Sequence, residues 1–176
     1  MSAVRDALRR LLGGDGLPEG FTGRLEPDER VLGTARTADG AHLVVTSWGL
    51  WVPDGEGVRR LGWHLVSRAT WKNGALTVVE ATEVEQIGDA VLLADRPARR
   101  FRLADPGRVP ETVQARVEGS IRSRHRRDLP DGGAWFVQRK VPGRDGTVLQ
   151  VRPDAATDPG VVARVVPDVV RSLRRP

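Results

Sequence analysis

Short apolar blocks separated by turn residues dominate the chain from Val31 to Leu103, and helical spacing takes over beyond them. Between Leu43 and Val52 the apolar run is broken only at Thr46-Ser47 and Gly49, which suits two strands meeting at a tight turn. A first strand from about Arg30 to Thr37 is turned by Asp39-Gly40 into a second, His42 to Thr46, and Pro53-Asp54-Gly55 marks another turn. Val58, Leu61 and Trp63 then lead into Leu65-Val66. The sharpest local signal is Trp71-Lys72-Asn73-Gly74-Ala75-Leu76, because Asn-Gly accepts the positive φ angles of a two-residue hairpin turn. After Val79 the pattern predicts one longer or bent strand, a turn at Gly88-Asp89 and another strand, with Arg99 to Leu103 completing the set.

Val109, Val113, Val117 and Ile121 then recur every four residues, with Pro110 and Glu111 in the first turn and arginines crowding the far end. That arrangement predicts a helix from Val109 to about Arg127, its charges complementing the helix dipole. Asp128 to Gly133 reads as a break. Trp135 to Gln138 and Thr147 to Val151 flank Pro142-Gly143-Arg144-Asp145-Gly146 and predict a hairpin, while Val161, Val162, Val165, Val166, Val169, Val170 and Leu173 mark a final helix. Pro167 should kink or restart that helix, because it removes a backbone donor. At the other end, Val4, Ala7, Leu8, Leu11 and Leu12 predict a short basic amphipathic helix capped by Ser2 and followed by a Gly-rich linker. Three regions result: residues 1–24 as helix and linker, 25–128 as the main domain, and 129–176 as a hairpin-helix extension. A hairpin plus one helix is too small to fold alone, so the extension is expected to dock on the main domain or on another subunit.

The pieces LVVTSWGLWV, VRRLGWHLVSRATW and KNGALTVV, followed by ARRFRL and the helix from about Val109, resemble the bacterial pleckstrin-homology-like and GRAM-like domains. The resemblance covers roughly Leu25 to Arg127 and rests on pattern, without a catalytic signature. It implies an α+β, mainly β fold: a barrel or sandwich of about seven strands capped by a C-terminal helix. It also implies a non-catalytic platform for peptides, proteins or lipid headgroups. Eukaryotic members grip phosphoinositides with a basic cluster in the first hairpin loop, but the corresponding Thr37-Ala38-Asp39-Gly40 here has no basic residue. A protein partner, including self-association, is therefore the leading expectation, and peripheral membrane contact is not expected.

Composition narrows the chemistry. With 39% hydrophobic and 29% charged residues in 176, the chain has the make-up of a globular domain. No run approaches the ~18 apolar residues of a membrane span, and the N-terminus lacks a signal-peptide core, which gives a cytoplasmic expectation. There is no cysteine, which removes disulfides, thiolate metal sites and cysteine nucleophiles together. Lys72 and Lys140 are the only lysines, and the arginine excess, with abundant Ala, Gly and Val, fits a GC-rich genome. Residues 1–108 carry 15 basic and 15 acidic side chains, whereas residues 109–176 carry 13 and 8, so the whole net charge of +5 lies in the C-terminal part. An anionic partner for that half and an ordinary solvated surface both fit this asymmetry.

Most catalytic patterns fail on inspection. GGDGLPEG lacks the Lys-Ser/Thr of a phosphate loop, and no Gly-x-Ser-x-Gly surrounds Ser47 or Ser67. His42, His64 and His125 have no metal-ligand spacing. Glu83 and Glu85 would share a strand face by alternation, which is either a carboxylate pair or, more simply, an exposed strand. The expectation is a protein that is not an enzyme and holds no cofactor or metal. Trp51, Trp63 and Trp71 are assigned to packing and Trp48, in a turn, to the surface. The binding candidates are therefore Trp48 and the cluster Arg122, Arg124, Arg126 and Arg127. The cluster supports nucleic-acid or ribonucleoprotein binding, helped by Arg139 and Lys140, as the alternative function; a solvated helix end explains the same residues.

Overall fold

The computed structural model describes residues 16–174, and the amphipathic helix expected at the N-terminus lies outside the described residues. The elements in order are β1 (Val31–Thr37), β2 (His42–Thr46), β3 (Gly49–Asp54), β4 (Gly57–Gly62), a 3₁₀ turn (Trp63–Leu65), β5 (Val66–Lys72), β6 (Ala75–Ile87), β7 (Ala90–Asp95) and β8 (Arg99–Asp105). Then follow α1 (Val109–Ser120), β9 (Ile121–Leu129), β10 (Gly132–Lys140), β11 (Thr147–Pro153) and α2 (Pro159–Leu173). The protein is mainly β with two α-helices among the described residues, an α+β architecture.

One continuous hydrogen-bonded path runs β4-β3-β2-β1-β8-β6-β7-β11-β10-β9, with β5 joined to β6 off that path. Of the expected barrel or sandwich, a closed barrel does not form, because β4 and β9 remain as the ends of the path. The long β6 accounts for the shape. Its first half pairs with β5 and β8, from Ala75 to Glu80, and its second half pairs with β7 from Ala81 onward. The parallel pairing of β7 with β11, Leu149 opposite Ala90 to Val151 opposite Leu92, then carries the C-terminal strands onto the same sheet.

Local turn chemistry appears where the sequence demands it. Asn73 and Gly74 have φ of 52° and 72°, the mirror-image turn that joins β5 to β6. Gly49 answers a different requirement: a Cβ there would lie 2.3 Å from the Leu61 carbonyl oxygen of the paired β4, so only glycine allows β3 and β4 to meet at that point.

Three apolar clusters hold the layers together. Leu43, Val45, Leu50, Val52, Leu76, Val78 and Phe101 fill the space between the two halves of the main domain, and α1 covers that core with Val109, Val113 and Val117. Val162, Val166 and Val169 of α2 cover Ala134, Phe136 and Val151 on one face of the C-terminal sheet. Val91 and Leu93 turn the other way, against Leu65 and Val148. β7 is thus buried on both faces, which is why Ala90 to Leu93 reads as an unbroken apolar run.

Two expectations need correction. The helix from Val109 stops at Ser120, and the Arg-rich tail expected as its end is strand β9. That tail has no apolar stripe to continue the helix, and residues 121–129 pair along β10 instead. The expected hairpin of residues 129–176 forms as β10 and β11, and β9 pairs onto its β10 edge. Of the two outcomes expected at Pro167, a restart does not occur: the helix runs from Pro159 to Leu173 with Val162, Val166 and Val169 pinning it to the sheet on both sides of the proline. Trp71, assigned to packing, is 40% exposed at the end of the β5–β6 hairpin, whereas Trp51 and Trp63 are buried as expected. Trp71→Ser should accordingly cost no more than about 1 kcal/mol in a urea melt, against the ~3–5 kcal/mol typical of truncating a buried aromatic such as Trp63; similar losses at both sites would contradict this placement.

Candidate functional site: the Trp48 groove

The site begins at the β2–β3 turn, which one threonine organises. Thr46 Oγ1 accepts from the backbone N–H of Trp48 at 3.2 Å and of Gly49 at 3.1 Å, and donates to Glu29 Oε1 at 2.6 Å. The Glu29 carboxylate is buried and also accepts from Trp51 Nε1 at 3.0 Å, from the Glu26 N–H at 3.0 Å and from Arg60. Burial alone would raise its pKa, but the Thr46, Glu26 and Trp51 hydrogen bonds and the Arg60 charge outweigh it and hold the carboxyl below its ordinary value. The Arg60 guanidinium lies 5.2 Å from the Trp48 ring centroid and 5.4 Å from that of Trp51. Trp48 is thereby propped up from beneath, half-buried.

The opposite wall comes from the β10–β11 loop. A Cβ on Gly143 would lie 2.5 Å from the Trp48 ring, so glycine alone, here with φ of 74°, lets this loop touch the indole. Trp48, Pro142 and Gly143 then form a ridge shared by two grooves. One, of about 430 Å³, runs along α1 and is lined by Arg30, Arg116 and Lys140 with Trp63 and Asp28. The other, of about 290 Å³, is lined by Arg60, His64 and Arg144. Arg30, Arg116, Lys140 and Arg144 have no ion-pair partner among the described residues.

A buried polar seam fixes the loop against the main domain. Arg139, only 2% exposed, donates to Ser120 Oγ at 2.6 and 2.9 Å, to Val66 O at 2.8 Å, to Trp63 O at 2.7 Å and to Val117 O at 3.2 Å. Its side chain therefore ties β10 at once to the end of α1 and to the 3₁₀ turn. No carboxylate among the described residues pairs with it; burial, then the nearby Arg152 and Arg124 charges, push its pKa down to about 10, so the group stays protonated at neutral pH. Gln150 Nε2 donates to His64 O at 2.6 Å, and Arg152 contacts Ser67 and Asp95. Trp63 Nε1 closes the circuit by donating to Thr46 O at 3.1 Å.

Trp48 thus faces a groove, while the four candidate arginines lie elsewhere: none of them lines either groove. On strand β9 alternation places Arg124 and Arg126 on one face and Arg127 on the face that carries α2, while Arg122 falls at the bulge between Ile121 and Ser123. Arg124 and Arg126 lie 5.9 and 5.6 Å from the ring centroid of Trp135, which is 37% exposed. Arg126 is committed to a bidentate pair with Asp154, at 3.1 and 2.6 Å. Of the two expected helpers, Lys140 lines the larger groove and Arg139 is a buried strut. Arg30, Arg116 and Arg144 carried no sequence signal, because their convergence on Trp48 comes from separate elements.

Among the described residues no three His, Asp or Glu side chains gather as a metal site, and no helix is long and apolar enough to cross a membrane. A bulge between Glu83 and Glu85 breaks the alternation that would have paired them, and both are exposed. Comparison with known proteins finds no matching family model, curated protein or solved structure.

Proposed function

We propose that this chain is a non-enzymatic binding module of pleckstrin-homology-like arrangement that takes a protein partner at the Trp48 groove. Support for the arrangement comes from the antiparallel order β1 to β4, the second set β5, β6 and β8, and a helix packed on the core between them. The observation that carries the function is a half-buried tryptophan standing between two grooves whose walls hold four cations without ion-pair partners among the described residues. An aromatic anchor in a concave, charge-rimmed site is what protein recognition uses. Because Thr46, Glu29 and Arg139 fix the walls, little ordering cost remains on binding.

The second reading is nucleic-acid binding at β9, favoured by the placement of Arg124 and Arg126 over the exposed Trp135, a cationic surface with an aromatic face for stacking. One experiment separates the two. Partners are captured from the protein's own cell extract by wild type, by Trp48→Ala, and by the variant with Arg122, Arg124, Arg126 and Arg127 all changed to Ser, each with and without nuclease. A nuclease-resistant protein, or a second copy of the chain, should be retained by the arginine variant and lost by Trp48→Ala. A nuclease-sensitive partner with the reverse dependence transfers the function to β9.

A further inference from the structure

Charge and shape at the ridge define the partner's chemistry more closely, on the premise that the groove is the binding site. Among the described residues Arg60 is compensated by Glu29, but Arg30, Arg116 and Lys140 in one groove and Arg144 in the other have no ion-pair partner, and Asp28 is the only described carboxylate lining either. Beneath these cations the surface is aromatic and apolar, made by Trp48, Trp63 and Pro142. An extended chain presents side chains alternately to opposite sides. We propose that the two grooves receive one extended acidic segment of a partner protein, which crosses the Trp48 ridge with carboxylates toward Arg116, Lys140 and Arg144 and an apolar side chain on the indole.

Carboxylates suit this rim because none of the four cations has an ion-pair partner among the described residues, so binding breaks no ion pair found there. The segment needs apolar residues as well as acidic ones, since the Trp48 ring face and Pro142 at the ridge offer apolar contact area that a carboxylate cannot use. Attraction between exposed charges weakens as salt is added, so affinity should fall with ionic strength.

The test uses the whole chain and a short labelled peptide of alternating glutamate and alanine with one central leucine, followed by fluorescence anisotropy. Wild type should bind it, the glutamine counterpart should not bind, and Arg116→Ser with Lys140→Ser should weaken binding about tenfold, the sum of two modest charge contacts. Both side chains are exposed, so an unchanged melting temperature confirms that the double variant is folded. The variant with the four β9 arginines changed to Ser should bind like wild type. Equal affinity for the glutamine peptide, no binding by wild type, or a loss confined to the β9 variant each overturns the inference. If the peptide fails while a protein partner is still captured in a Trp48-dependent way, the acidic segment is overturned and the binding module stands; if both fail, both fall.

Discussion

Arg139→Met should lower the stability of the folded chain by about 3–4 kcal/mol in urea denaturation, a loss comparable to truncating a buried aromatic side chain. Methionine fills much of the volume, so the cost arises from hydrogen bonding. The guanidinium is enclosed and serves Ser120 Oγ and the Val66, Trp63 and Val117 carbonyls. Three of these retain a partner without it: Ser120 Oγ donates to Val117 O at 2.7 Å, and the Val66 N–H bonds Trp63 O. Val66 O loses its arginine bond, and three elements lose their common tie. Arg139→Lys keeps the charge but not the planar fork, which reaches acceptors in different directions, so it should recover less than half of the loss. A loss below about 1 kcal/mol for methionine would show that the seam adds shape without strength. If the seam holds the β10–β11 loop in place, the methionine variant should also lose the groove, read as a changed response of Trp48 to the acidic peptide at denaturant concentrations where it remains folded.

That strut marks the boundary between what the sequence reveals and what it conceals. Asn73-Gly74, Asp39-Gly40 and Pro53-Asp54-Gly55 are local: each turn dictates its own φ angles, and the strands on either side follow. β1, β2 and β8 were therefore legible closely, whereas the reading divided at Val79 a strand that runs unbroken as β6 from Ala75 to Ile87. Arg122 to Arg127 were not, because a solvated edge strand has no apolar alternation and a basic run fits a helix end equally well; pairing with Trp135, Phe136 and Val137 decides the matter, and pairing is not local. Charge along such an edge also discourages another chain from adding to it. Arg139 looked like one more surface cation beside Lys140, yet its acceptors lie 19 to 76 positions away. The groove was concealed for the same reason. Trp48 was identifiable as a turn residue, but Arg30, Arg116 and Lys140 reach it from β1's approach, α1 and β10. The one neglected signal is Ala90 to Leu93, a continuous apolar run that implies a strand covered on both sides and hence a sheet extending past the main domain.

The second large effect is a loss of stability in mild acid, centred on His64. Its ring lies so close over Gly62 that a Cβ there would approach Nδ1 to 2.9 Å, and Nδ1 is buried without a hydrogen-bond partner among the described residues. Burial first, then the positive charges of Arg139 and Arg144, push its pKa down from 6.5 to about 4. The unfolded chain binds a proton at this imidazole near pH 6.5 and the folded chain does not, so each step down from pH 6.5 toward 4 favours unfolding. Between pH 7 and pH 5 the expected loss is about 1–2 kcal/mol, allowing for the partial exposure of the ring. Glu29 and Glu80, held below the ordinary carboxylate value of 4.5, weaken the fold only at lower pH still, so that interval isolates the histidine. Melting curves at pH 7 and pH 5 should separate wild type from His64→Gln, with the loss present in the first and nearly abolished in the second. Parallel behaviour of the two proteins would mean that the imidazole takes up its proton without penalty and that the wall of the smaller groove opens to water. Loss of stability in wild type alone ties proton uptake to the contact between the main domain and the β10–β11 loop, since His64 sits between Gly62 and the Arg139 seam and faces the groove that Arg144 lines.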